Sequence, residues 1–184
     1  LELMDSADIT ALVRDVEPLT PCPPYGPRYR VSALLTDGTV LPCVVVEGVA
    51  PTVDLAIKRF DETRKSKDSH MGYRNIVKTF VTHGNTVNDY DIASLSLSPH
   101  AIPLARMREI GGETSMSWTE FYAQMKDGAE FRFGTTFLTE FFAMPDGYSG
   151  DDIVKITPAV RGEKPRHERI LRERPFFTCY VEGL

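Results

Sequence analysis

Two runs rich in β-branched and aliphatic residues, Arg30 to Thr36 and Thr39 to Val46, are separated only by Asp37-Gly38. Asp-Gly readily takes the backbone angles of a tight hairpin turn, so this stretch commits the chain to antiparallel local pairing. Pairing Thr36 with Thr39 sets a register in which Val31, Ala33 and Leu35 share a face with Val40, Pro42 and Val44. Pro42 has no N–H for the ladder, which places it at an edge or a bulge and this second strand at the periphery of its sheet.

Further strands follow from the same alternation. Arg74 to Thr82 and Asp91 to Ser98 read as a pair joined by HGNTVNDY, and Glu130 to Phe142 sets Phe131, Phe133, Phe137 and Phe141 at even spacing. Residues 153 to 158 and 176 to 182 add two more, the last with Phe177, Cys179 and Val181 alternating against Phe176, Thr178 and Tyr180. That makes about seven strands.

The helical signals are fewer. Before Phe121, Met116-Ser-Trp-Thr-Glu has the form of a capping box, with Ser117 as cap, Glu120 reaching back and Met116 stapled to Phe121. Trp118, Phe121, Tyr122 and Met125 recur at helical spacing, and Gly128 is a natural stop, so a helix is expected from Ser117 to about Lys126. A second is expected over 53 to 65, with Val53, Ala56, Ile57 and Phe60 inward and Asp54/Lys58 and Asp61/Lys65 paired outside. Shorter helices are expected near 6 to 16 and 103 to 110. Strands in adjacent runs, not alternating singly with helices, predict an α+β fold: one domain, mostly antiparallel, with helices packed on one face. PCPPYGP at 21 to 27 is the only connector of note, so an N-terminal helix and Pro-rich link (1–28) precede a body of sheet and helices (29–184). No internal repeat is visible.

Composition sets the class. At 184 residues, 42% hydrophobic and 26% charged, the chain has the make-up of one globular domain. It holds no apolar run of membrane-spanning length and no basic-then-apolar leader, which predicts a cytoplasmic protein with no membrane partner. The first methionine is Met4, so Leu1 to Leu3 take no part in the fold reasoning. Cys22, Cys43 and Cys179 are odd in number and unpatterned, which predicts free thiols.

No motif names a reaction or a cofactor. His83, Asp89 and Asp91, close together around one turn, are the only candidate metal set, and they carry the alternative reading of a metal-dependent or hydrolytic enzyme. Asn, Asp, Gly and Thr are equally the residues any exposed turn uses. MPDGYSGDDI (144–153) lacks the ligand alternation of a calcium loop. IGGETS (110–115) precedes the expected helix without the Lys-Ser/Thr of a phosphate loop. The cysteines lack a neighbouring histidine, and His70 and His100 sit in no motif.

One segment reverses the sign of the chain. Arg161, Lys164, Arg166, Arg169, Arg172 and Arg174 stand against Glu163, Glu168 and Glu173, a net of +3. The whole chain carries −5, so the other residues carry −8. Clustered arginines offer forked donors to carboxylate or phosphate, while Ile170 and Leu171 look like anchors into a core. The segment is expected at the surface, serving a binding module for a protein or small anionic partner. A long polyanion approaching broadly would meet the acidic remainder, so nucleic acid is a weak alternative. Oligomeric state is not encoded in any pattern found here.

Overall fold

The Asp37-Gly38 hairpin is present, but its turn is one residue longer than its sequence implies. In the computed structural model, which describes residues 6–19, 26–65 and 85–184, Leu35 N–H donates to Thr39 O at 2.8 Å and Gly38 N–H to Leu35 O at 2.9 Å. The loop is therefore Thr36-Asp37-Gly38, with Gly38 at φ +90° where a side chain would be strained. Strand β1 (Arg28–Leu35) pairs Leu34 with Val40 and Ala33 with Leu41 on β2 (Val40–Gly48). An irregularity between Val31 and Ala33 then restores the expected Val31–Val44 pairing. Pro42 lies at that bulge, and its carbonyl accepts from Ser32 Oγ and Ser98 Oγ instead.

Among the described residues eight strands form two four-stranded sheets, not the single sheet of about seven read from the sequence. In the first, β3 (Ile92–Leu97) flanks β1 antiparallel and β8 (Phe177–Val181) flanks β2 in parallel, so β2 is central where a peripheral position was expected. The second holds β4 (Thr119–Met125), β5 (Glu130–Thr135), β6 (Ile153–Pro158) and β7 (Ile170–Arg172), with β7 parallel to β5. The fold is α+β, with both sheets mixed.

The two sheets are the same module built twice, a repetition the sequence does not reveal. Their orders, β3-β1-β2-β8 and β6-β4-β5-β7, correspond strand for strand. Val31↔Leu97, Ser32↔Ser96, Ala33↔Leu95, Leu34↔Ser94 and Leu35↔Ile92 in the first recur as Phe121↔Pro158, Tyr122↔Thr157, Ala123↔Ile156, Gln124↔Lys155 and Met125↔Ile153. The turns repeat as well. Met125 N–H donates to Ala129 O, Gly128 N–H to Met125 O, and Ala129 N–H to Asp127 Oδ1, as Leu35, Gly38 and Thr39 do with Thr39 O, Leu35 O and Asp37 Oδ1. Each turn is clamped to a short 3-10 turn before the third strand: Thr36 N–H to Asp91 O and Lys126 N–H to Asp152 O, both 2.8 Å.

The capped helix expected from Ser117 is absent, and its residues form β4. Ser117, at φ +57°, occupies a tight turn in which Ser115 and Trp118 exchange backbone hydrogen bonds, and Asp127-Gly128 is a hairpin turn, not a helix stop. Phe121, Ala123 and Met125 face one core while Tyr122 is buried on the opposite face. Apolar groups on both faces of a covered strand blur its period of two into a helical one. The helix expected at 103–110 shrinks to one turn, α3 (Leu104–Met107). Helices α1 (Ser6–Val13) and α2 (Val49–Lys65) are present, but α2 turns Thr52, Leu55 and Ala56 inward and leaves Val53 and Ile57 exposed. Glu130 to Phe142 is not one strand: β5 ends at Thr135, and Phe137 is exposed. The strand expected at 74–82, most of the Pro-rich link, and Phe60 and Lys65 as side chains lie outside the described residues.

Each module has its own core, and α1 and α3 pack on different ones, so the helices are not gathered on one face of a single sheet. Ile9 and Val13 of α1 pack with Val31, Val44, Val46, Ile92, Cys179 and Val181. In the second module Phe121 and Phe133 stack at 5.4 Å, and Phe142 meets both edge-on. Met107 of α3 packs against this second core. The modules join where Phe141 packs on Cys43 and Val45, the face of β2 opposite to the first core. Arg28 reinforces the junction by bridging Glu47 at 3.1 Å and Glu140 at 2.9 Å.

Candidate functional site

The outer face of the second sheet carries Glu120 and Tyr122 from β4 and Arg132 and Gly134 from β5. Trp118, just before β4, lies across this face over Gly134. A methyl group on Gly134 would collide with the indole, so glycine is required for the ring to sit there. Residues 157–166 rise from the end of β6 and arch over the same face, leaving a cleft of about 280 Å³.

The floor of the cleft is an ion pair. Arg132 Nε and Nη2 both donate to Glu120 Oε2, at 2.7 and 2.5 Å, and Trp118 Nε1 donates to Glu120 Oε1 at 2.6 Å. The side chains of Arg132 and Glu120 are only 10% and 15% exposed, which makes this a largely desolvated pair. Arg132 Nη1 donates to His167 O, tying the floor to the arching segment.

Part of the basic segment is consumed in holding that arch down. The Arg166 guanidinium stands 3.9 Å from the centre of the Tyr122 ring and pairs with Glu130 at 2.8 Å, while its backbone N–H donates to the Tyr122 hydroxyl. His167 Nε2 donates to the other oxygen of Glu130 at 2.9 Å. Arg172 covers the Trp118 ring at 4.5 Å and pairs with Glu173. Arg174 Nη1 donates to His100 Nε2, whose ring donates from Nδ1 to Phe142 O; this fixes a neutral imidazole, and burial and Arg174 lower its pKa.

The segment is exposed along most of its length, and it contains β7, whose Leu171 is the buried anchor, with Ile170 half-buried. Among the described residues Arg161, Lys164 and Arg169 have no carboxylate partner, and Arg161 and Lys164 line the mouth of the cleft. The site therefore has a self-satisfied floor and a cationic rim. It can attract an anion at the rim, and it spends no floor donor in doing so.

None of the other sequence candidates among the described residues is brought to this site. His83 and His70 lie outside the described residues, and so does Cys22. Asp91 accepts from Asn88 Nδ2 at 3.0 Å and Asp89 from Tyr90 N–H at 2.9 Å, the local bonds of a 3-10 turn. Among the described residues no group of three or more His, Cys, Asp or Glu is placed to hold a metal. Gly111 and Gly112 precede a strand, so the phosphate-cradling geometry of a helix N-terminus does not arise there. Cys43 and Cys179 are free and buried; burial pushes the first thiol up to about 11 and the second to about 12, where nearby Asp89 adds to the effect.

Sequence reasoning missed Trp118, Glu120, Tyr122 and Arg132 as site residues. The available signal was Asp127-Gly128: read as a second hairpin, it puts Glu120, Tyr122 and Arg132 on one face. Compared with protein-family models, curated proteins and solved structures, the chain matches none, so its chemistry rests on its own residues.

Proposed function

We propose that this protein is a single-domain binding module whose 161–174 segment receives a short carboxylate- or phosphate-bearing group of a protein or small-molecule partner. The observation that carries this reading is that Arg161 and Lys164, which have no carboxylate partner among the described residues, stand at the mouth of a cleft whose interior donors and acceptors satisfy one another. Unpaired exposed cations beside low-dielectric walls raise the local concentration of anions, and a preformed floor costs no reorganisation on binding. Arg166 and Arg172 serve by holding the arch and the indole in place. The −8 carried by the other residues favours a short anion over a long nucleic acid.

Trp118 is the only tryptophan, so its fluorescence reports directly on the cleft. Titration with citrate, inorganic phosphate and an oligoglutamate peptide should change that signal in the wild type, and the change should vanish in Arg161→Glu/Lys164→Glu. No response to any of the three, or an unaltered response in the double variant, would remove the reading. Submicromolar, salt-sensitive binding of mixed-sequence DNA or RNA would replace it with nucleic-acid recognition.

A further inference from the structure

Four strands stand at sheet edges, and three of them are closed by the chain itself. Beside β8 runs the 85–87 segment, with Thr178 N–H donating to Asn85 O and Val87 N–H to Thr178 O, both 3.0 Å. Beside β7 runs 141–143, through Ala143 N–H to Arg172 O and Arg174 N–H to Phe141 O. Side chains close β6: Ile156 N–H donates to Glu109 Oε2 at 2.7 Å, and Arg106 Nη1 donates to Val154 O at 2.8 Å. The matching ladders set Leu95 at the place of Ile156 and Ala93 at that of Val154, so Leu95 N–H and Ala93 O point outward from β3. No described residue pairs with that side of β3.

The sequence of β3, IASLSL, carries no charge and no proline, the devices that usually blunt an open edge. The first core is open on the same side. Leu97 is 64% exposed and Leu12 of α1 44%, and with Val16 and Leu95 they line a groove of about 240 Å³ between α1 and β3. An extended segment laid along β3 would complete the ladder with its backbone and cover the groove with alternate side chains. Charge selects the occupant. Asp89 and Asp91 stand just before β3; past its other end Asp15 lines the groove and Asp151 lies beside Leu97 and Ser98. Arg30, the cation lining that end, is buried, with Glu17 and Glu140 acting on its charge. Residues 85–98 hold no Lys or Arg, so a second copy paired antiparallel across a two-fold axis would bring Asp89 and Asp91 of each chain to the acidic end of the other.

We propose that the β3 edge binds, by strand addition, an extended segment of a partner protein with apolar residues at alternate positions and Lys or Arg at both ends. The backbone of the segment takes Leu95 N–H and Ala93 O, its apolar side chains meet Leu12, Leu95 and Leu97, and its terminal cations meet the carboxylates beyond each end of the strand. This surface is separate from the cleft beside Trp118 and opposite to it in charge preference.

Calorimetric titration of the full chain with the end-blocked peptide Lys-Lys-Val-Thr-Val-Thr-Val-Lys-Lys tests this. Saturable binding is expected, at least about tenfold weaker when the four lysines are replaced by glutamate and when the three valines are replaced by glycine. Hydrogen exchange at the Leu95 amide should slow at least about tenfold with the peptide bound, since the outward N–H then has an acceptor. Leu97→Lys, at an exposed position, should weaken the peptide by about tenfold or more, and Asp15→Asn by about threefold. No binding at about 1 mM peptide, equal affinity for the glutamate-ended peptide, or binding that leaves exchange at Leu95 unchanged would each overturn the proposal. A wild-type dimer in sedimentation that Leu97→Lys dissolves would assign the edge to a second copy and overturn it as well. If Leu97→Lys does not fold, the peptide series and the exchange measurement still decide.

Discussion

The Glu120–Arg132 pair is a test of how much the floor of the cleft holds up the second module. Replacing Glu120 by alanine strips acceptors from Arg132 Nε and Nη2 and from Trp118 Nε1, and leaves Arg132 with its bond to His167 O. With side chains 10% and 15% exposed, the pair belongs to the desolvated regime, in which removing one partner costs about 3–5 kcal/mol. At a slope of about 2 kcal/mol per molar urea, the midpoint should fall by about 1.5–2.5 M. The double replacement Glu120→Leu/Arg132→Leu removes both charges together and should cost less than either single change, about 0–2 kcal/mol, because no uncompensated ion is left behind. Urea titration of the wild type, Glu120→Leu, Arg132→Leu and the double variant, followed by Trp118 fluorescence and by far-ultraviolet circular dichroism, gives all four corners of the cycle. A cost for Glu120→Ala near the 0–1 kcal/mol of a solvated pair, or a double variant equal to the sum of the singles, would show that the floor is not desolvated and the reasoning fails.

The repeated turns make a matched prediction. Gly38 and Gly128 both stand at φ +90° with nothing within 4 Å of an added methyl, so alanine at either should cost about 1–2 kcal/mol from backbone strain alone, equally at both sites and additively in the double variant; unequal costs in chemical unfolding would break the equivalence. The thiols set a pH dependence. Cys43 and Cys179 have folded-state values raised to about 11 and about 12 against an ordinary 9.0, so the stability they contribute is complete below about pH 9 and is lost as pH rises through those raised values. Between pH 9 and 11, unfolding free energy should decline less steeply in Cys43→Ala or Cys179→Ala than in the wild type, by about 1.4 kcal/mol per pH unit; identical slopes would refute the burial argument.

The first hairpin was legible because Asp37-Gly38 stands between two runs of unmistakable strand formers. The extra loop residue was not, because a three-residue turn and a two-residue turn share the same Asp-Gly pair and differ only in the bulge that follows at Pro42. The α+β class, α1, α2 and the last two predicted strands came through for the same reason: their local preferences agree with their environment. Residues 117–126 did not, since Tyr122 is buried beneath Arg166 while Phe121 is buried in the core, and a strand covered on both faces presents the apolar spacing of a helix. The cationic segment was legible as charge, and its exposure follows the pattern read. Which of its members are occupied was not, because Glu130 and Tyr122, more than 30 residues away in sequence, decide it for Arg166.

The duplication escaped for a related reason, and it explains why one scaffold carries two unlike pockets. Pairing to the third strand makes Arg30 equivalent to Glu120 and Ser32 equivalent to Tyr122, since Val31↔Leu97 matches Phe121↔Pro158. What recurs between the modules is hydrogen bonding of turns and ladder, which many side chains can support; what differs is what covers the outer face. On the first sheet that face is closed by Phe141 of the second module, leaving Arg30 at the junction beneath an acidic rim. On the second it is arched over by the chain's own basic segment, so Glu120 lies paired beneath a cationic rim. The buried charge at the equivalent position changes sign, and the rim above it changes sign in the opposite sense. Each rim is therefore opposite in charge to the residue beneath it, and among the described residues Glu120 has a direct ion pair where Arg30 has none.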